Sequence, residues 1–411
     1  MLCFFDGLAL PFSGSGTCAC CFRSFLGERV IKKNGNYIIT IPVDEIMDFT
    51  LACDIMMDLE GSIRPPMYLA TELAARGHRV CMISPFMTEQ VEARLRELGI
   101  TPINLRAKLV TRNSGVSVLW LETWAREAFL RLNSRRSVNG SSRVINFSQV
   151  ISLPSLVWYL QGPPSLALRD MEKELSPGFR VVYDFLKTFI DHADERLIRD
   201  MYRESSVVIA NSKFCASMYS GLGVRTDEVI YPPIDCGVFQ PSTSKPSSDY
   251  VLTYVGKETK FSVIKSVADC GVKIKAFGSK MRFASESVLK HPNVEFLGRV
   301  AAEDLVKLYS NALFTLFTFT HEPFGYVPLE SMACGTPVLT FGFQGPSEYV
   351  VHGYTGWLMN TDEELVQKAV DLWREKYPSN IRLNCAKAAL KFDRQPYVEK
   401  WLKLLALAIK E

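Results

Sequence analysis

A chain of 411 residues has about two to three times the typical domain length, so its core is expected to be divided between two domains. Hydrophobic residues at 47% and charged ones at 22% exclude a disordered or collagen-like chain. A net charge of +3 excludes whole-molecule attraction to nucleic acid, and no nucleic-acid partner is expected. No uninterrupted apolar run approaches the roughly 18 to 20 residues that span a bilayer. Eleven scattered cysteines, an odd number, do not read as a secreted disulfide framework. The cluster Cys18, Cys20, Cys21 lacks a second ligand pair at finger-like spacing, so no metal site is expected there.

Residues 1–46 read as a leader of different character, with an alternating run from Tyr37 to Ile41. An appendage, or a natural start at Met47, are the two readings of it. A βαβ pattern begins afterwards. Phe49 to Met56 reads as a buried strand, Pro65 to Arg76 as a helix with Pro in its first turn, Gly77 as its cap and Arg79 to Ser84 as the next strand. Further on come a strand at Val144 to Phe147, a helix at Ala193 to Glu204 and a strand at Val207 to Asn211. The run from Gln240 to Ser248 is rich in Ser and Pro and marks a linker. Beyond it strands are expected at 250–255, 273–277, 294–297, 313–317 and 338–340, with helices between. Two such strings imply an α/β protein of two doubly wound, Rossmann-like domains facing across a cleft, with ligands at the carboxyl ends of the strands.

The most informative stretch runs from His321 to Val338. It leaves an apolar strand, passes a loop with Gly325 and enters a short helix near Pro328 that Gly335 ends. Backbone N–H groups at such a helix start carry partial positive charge and suit a diphosphate. Glu322 and Glu330, with seven residues between them, stand where two carboxylates grip hydroxyl groups on either side of that diphosphate, a sugar and a ribose. His321 abuts the pair.

This segment resembles the signature of the retaining GT-B glycosyltransferases of family four. The likeness extends through Gly345-Pro346-Ser347-Glu348 and Gly353 to Leu358, and upstream through Ala210 to Phe214 and Tyr231-Pro232-Pro233-Ile234-Asp235. It implies that Glu322 contacts the transferred hexose and that Glu330 holds the ribose, with Phe324, Gly325, Tyr326, Val327 and Gly278 around the donor. Lys257 and Lys260 are the implied phosphate cations, in a loop that is shorter than the family's and lacks its Arg. On the acceptor side the resemblance points to Gly61 and Ser62, and to Gln161 where many relatives carry a histidine. A glutamine cannot titrate, so a general base is absent there and front-face attack is implied instead.

No Asp-x-Asp occurs in the chain, so metal-independent transfer without a cofactor is expected, the nucleotide-sugar being a substrate. The acceptor implied is a glycan or lipid-linked glycan. Between Arg106 and Arg143 stand eight Lys and Arg against two Glu, with Trp120, Trp124 and Phe129 at helical spacing. The segment Trp120–Arg136 is therefore a candidate for an anionic membrane surface, and a cytoplasmic or peripheral location is expected. The domains expected are 47–236 on the acceptor side, 237–390 for the nucleotide-sugar, and a last helix in 391–411 crossing back to the first. Two other readings stand beside this one: a catalytically degenerate homologue acting as a binding subunit, and a dinucleotide oxidoreductase. The second lacks a Gly-x-Gly-x-x-Gly after any strand.

Overall fold

The computed structural model describes residues 30–33, 36–39, 46–59, 61–107, 109, 116–130, 143–173, 177–242, 246–256, 258–279 and 286–408. Residues 1–45 and 46–411 are two separate compact units. In the first, strands β1 (Val30–Lys33) and β2 (Asn36–Ile39) pair antiparallel, Val30 opposite Ile39.

The second unit opens with β3 (Asp48–Ala52), α1 (Arg64–Ala75), β4 (Arg79–Ser84), α2 (Glu89–Glu97), β5 (Thr101–Asn104) and α3 (Val116–Leu130). It continues with β6 (Arg143–Asn146), β7 (Ser155–Leu160), α4 (Pro164–Lys173), α5 (Pro177–Arg203), β8 (Ser205–Ala210), α6 (Lys213–Ser220) and β9 (Glu228–Val229). These strands form one parallel sheet in the order β5-β4-β3-β6-β7-β8-β9. A second set follows: β10 (Val251–Val255), α7 (Phe261–Asp269), β11 (Ile274–Gly278), α8 (Glu286–Leu289), β12 (Val294–Gly298), α9 (Ala302–Asn311) and β13 (Thr315–Leu316). After these come α10 (Tyr326–Ala333), β14 (Val338–Phe341), β15 (Gly356–Met359), α11 (Asp362–Glu375), α12 (Asn380–Ala389) and α13 (Arg394–Ala408). The second sheet is ordered β12-β11-β10-β13-β14-β15. The central strands are buried apolar runs such as Val157-Trp158-Tyr159-Leu160 and Val251-Leu252, as parallel strands covered by helices on both faces must be.

Strand order therefore reverses between β3 and β6 in one sheet and between β10 and β13 in the other. Loops leaving the carboxyl ends of strands on either side of such a reversal diverge and leave a crevice. The chain passes between the domains twice. Ile234 bridges Asp393, and the Cys236 N–H bonds the Asp393 carboxylate at 3.1 Å. Helix α13 then lies on the first domain, where Trp401 is fully buried between Phe147 and Tyr159, at ring separations of 5.3 and 5.6 Å. The Tyr397 hydroxyl donates to the Pro65 carbonyl at 2.9 Å.

Two expectations change. The helix expected at 193–204 is the last part of α5, a helix of 27 residues. Its earlier turns leave Val181, Phe185 and Phe189 exposed, whereas Ala193, Leu197, Ile198 and Met201 in its last turns are buried in the core. Helix α3 does not offer Trp120 and Trp124 to lipid. Leu119, Trp124 and Ala128 are buried, the Trp124 indole donates to Asp194 at 3.1 Å, and that of Trp120 donates to Asp54 at 3.0 Å. A buried indole N–H needs an acceptor, and these two carboxylates supply it. Phe129 is exposed and stacks on Phe189 at 5.1 Å. Arg131, Arg135 and Arg136 lie outside the described residues.

Candidate active site

A cavity of about 670 Å³ opens at the two strand-order reversals and is lined from both domains. Its second-domain wall begins just after β13, at Phe317 and Phe319 on the way into the loop before α10. Gly325 turns that loop into the helix with φ of 91°, and a Cβ there would stand 2.9 Å from Pro346 Cγ, so conformation and space both demand glycine. The Tyr349 hydroxyl donates to the carbonyls of Phe324 and Gly325 at 2.9 and 2.6 Å. The Glu322 N–H bonds Gln344 Oε1 at 3.2 Å, and its carbonyl accepts the Gly345 N–H at 2.9 Å. Glu322 thus stands on a pinned loop at the cavity, and Gly325, Tyr326 and Val327 bring the first turn of α10 to the same wall. That turn is a helix start, whose N–H groups carry partial positive charge, a place for anionic oxygens.

Glu330, one turn further, also lines the cavity and is 3% exposed. The Tyr309 hydroxyl donates to its Oε2 at 3.0 Å. Burial, and after it the Glu330 charge, push the Tyr309 hydroxyl well above the usual phenol range. The other oxygen, Oε1, receives Arg64 Nη1 at 2.5 Å. Arg64 comes from the first domain, the first residue of α1, and its guanidinium lies over the rings of Tyr326 and Phe239 at 5.0 and 5.6 Å. The sequence carried one signal for it, since a cation in the first turn of a helix opposes the macrodipole and calls for an acidic partner.

On the first-domain wall Gly61 and Ser62 occupy the short turn before α1, and Gln161 follows β7 with its Nε2 donating to the Phe147 carbonyl at 2.6 Å. Gln149, which lines the cavity, was not legible from the motifs. Its N–H bonds the Asp54 carboxylate at 3.0 Å, and Ser148 and Trp120 donate to the same group. Burial raises the Asp54 carboxyl above its ordinary range. This buried acceptor ties the loop after β3 to the loop after β6, across the reversal.

Several expected donor residues stand elsewhere. Phe324 is buried in an aromatic cluster with Tyr231, Tyr326, Tyr349 and Phe392 and is not among the described residues lining the cavity. Lys260 is also absent from that lining. Its ammonium pairs with Asp362 and lies 5.1 Å above the Phe341 ring, so α11 takes the cation that the sequence assigned to phosphate. Lys257 lies outside the described residues. Gly278, also outside the lining, ends β11 with φ of 125°, and a Cβ there would meet the Val255 carbonyl oxygen at 2.2 Å; its neighbour Phe277 lines the cavity. His321 is exposed and borders the cavity.

Glu348 and Ser212, read from the sequence as parts of the signature, join the two domains. Glu348 accepts the N–H groups of Lys213 and Phe214 at 3.1 and 2.7 Å, at the start of α6, and the Tyr231 hydroxyl at 2.8 Å. Ser212 donates to the Pro323 carbonyl at 2.5 Å. A second-domain carboxylate thus caps a first-domain helix beside the Glu322 loop.

Residues 248–392 match the family described as glycosyl transferases group 1. Alpha-1,3/1,6-mannosyltransferase ALG2 of Mus musculus is 21% identical over 279 residues, covering 58% of this chain and 64% of that protein. The corresponding alg-2 enzyme of Neurospora crassa is 40% identical over 74 residues, 18% of this chain and 16% of its own length, so the chain spans less than two thirds of either relative. Among solved structures, Anabaena HepE in complex with UDP and glucose superposes with a TM-score of 0.62 at 18% identity, over 87% of this chain and 99% of that one. Sucrose-phosphate synthase of Thermosynechococcus elongatus gives 0.62 at 16%, over 88% and 99%. The second domain is thus similar to the group 1 glycosyl transferases over residues 248–392, and the two facing sheets have the GT-B fold.

Proposed function

We propose that this protein moves a hexose from a nucleotide-sugar donor to a hydroxyl of a glycan or lipid-linked glycan, with retention at the anomeric carbon and without a metal ion or cofactor. The observation that carries the reading is the convergence, in one cavity, of the Glu322 loop, the first turn of α10 and Glu330, opposite Gly61, Ser62 and Gln161. In this reading the diphosphate lies against the N–H groups at the start of α10, whose partial charges favour the leaving group as it becomes more negative. Glu322 accepts from hexose hydroxyls and Glu330 from the ribose. The anomeric carbon to phosphate oxygen bond breaks while the acceptor oxygen bonds the same face. The acceptor's proton passes to the departing phosphate, because the neutral amide of Gln161 cannot take it up as a base.

The test is a panel of nucleotide-sugars incubated with and without simple sugar acceptors, followed by nuclear magnetic resonance of the product anomer. Slow donor hydrolysis with one sugar and a retained anomer support the reading; an inverted product overturns it. Activity that EDTA abolishes and only Mg²⁺ or Mn²⁺ restores overturns the metal-independent part. The second reading, a subunit that binds nucleotide without turnover, is favoured by the pairing of Lys260 with Asp362. Nucleotide binding with no hydrolysis across the panel would select it.

A lipid-linked acceptor presented at a membrane is supported by the exposed corner of Val181, Phe185, Phe189 and Phe129, not by the tryptophan face of α3. No helix among the described residues is long and apolar enough to cross a membrane. Cosedimentation with anionic vesicles, lowered by the double change Phe185→Ser and Phe189→Ser, is the expected result; no vesicle binding by the unaltered protein removes this part.

A further inference from the structure

We propose that Arg64 is a positioning residue for the nucleoside: it orients Glu330 so that this carboxylate selects ribose over deoxyribose. The inference rests on the ribose reading of Glu330 given above. Glu330 is 3% exposed at the cavity wall and is fixed from two directions. Tyr309, on α9 of the same domain, donates to Oε2 at 3.0 Å, and Arg64, on α1 of the opposite domain, donates to Oε1 at 2.5 Å. A carboxylate offers roughly four acceptor positions, so a ribose diol can share it with donors such as these. A diol needs both carboxylate oxygens at a set angle. One donor leaves the group free to swing about its last torsion, whereas two donors on different oxygens fix the plane.

The two donors differ in permanence. Tyr309 moves with Glu330, since both belong to the second domain. Arg64 reaches Glu330 only with the first domain in place, where its guanidinium also rests on Tyr326 and Phe239 at 5.0 and 5.6 Å.

The experiment measures dissociation constants of UDP, GDP and ADP and of their 2′-deoxy forms by calorimetry, with the full chain and with Arg64→Gln, Arg64→Lys, Tyr309→Phe and Glu330→Gln. The unaltered protein is expected to prefer the ribo form of its nucleotide by about tenfold or more, the effect of a charge-assisted hydrogen bond. Arg64→Gln should bring that ratio to within about threefold of one, as Glu330→Gln does, with Arg64→Lys between. A merely structural Arg64 would weaken both forms equally and leave the ratio unchanged, which overturns the inference. An unaltered protein that binds nucleotide with no ribo preference overturns it too. If the unaltered protein binds no nucleoside diphosphate at all, the function proposed above falls with it. Should Arg64→Gln fail to fold, Arg64→Lys, which keeps the charge but not the fork, decides by the same ratio.

Discussion

The two walls of the cavity are built in different ways. On the second-domain side Glu322, Gly325, Tyr326, Val327 and Glu330 come from nine consecutive residues, held by one strand, one turn and one eight-residue helix. On the first-domain side Gly61, Arg64, Gln149, Gln161 and Met218 are scattered through the chain and meet only because β3, β6, β7 and β8 end at the same edge. The first wall is a local device and the second an assembly. Damage to the local wall should therefore appear mainly in chemistry, and damage to the assembled wall mainly in stability.

The largest effect expected is on the local wall. Glu322→Ala should lower transfer by about 30- to 1,000-fold, the loss of one charge-assisted contact in the transition state, with an unchanged thermal midpoint. Transfer assays beside melting curves check both, and a variant as active as the unaltered protein would break the contrast between the walls.

The assembled wall is tested next by Trp124→Ala. The ring is 2% exposed and its N–H is spent on Asp194, so about 3 to 5 kcal/mol of first-domain stability should be lost, read by denaturant unfolding. A cost below about 1 kcal/mol would mean that α3 is not packed as described. The joint between the walls is sharpened by Glu348→Ala, which removes the acceptor from the start of α6 and from Tyr231. About 1 kcal/mol is expected, with kcat/KM falling because the Glu322 loop lies beside this joint; unchanged stability would sink the capping role.

The smallest effect concerns pH. Burial, and then Arg76 and Arg143, hold the His78 imidazole below its ordinary pKa, so the folded state favours the neutral ring more than the unfolded state does. The stability this represents is present above the unfolded value of about 6.5 and is lost as pH falls through the folded one. Melting curves between pH 7 and pH 5 should fall less steeply for His78→Gln than for the unaltered protein. Parallel curves would remove His78 as a source of acid sensitivity.

Periodicity and turn residues were enough to read α/β layering and two domains, because parallel strands buried on both faces leave apolar runs such as Val251 to Val255, and helix ends leave Pro65 and Gly77. They were also enough to read the strand, loop and helix around Gly325, whose groups lie within one turn of one another. They could not read sheet order, and so did not reveal that Gln149 and Asp54 meet across the β3 and β6 reversal. Nor could they tell which lysine a carboxylate would claim: Lys260 and Asp362 are 102 positions apart, and proximity in the sequence could not foretell their contact. The tryptophans of α3 have the same helical spacing whether they face lipid or protein, and what settled it was the presence of Asp54 and Asp194 as acceptors for their N–H groups. Arg64 and Glu330, 266 positions apart, show the limit most plainly. Glu330 was legible from its motif and Arg64 was not, because an ion pair is a property of distance in space, and that distance exists only once both sheets have folded and faced each other.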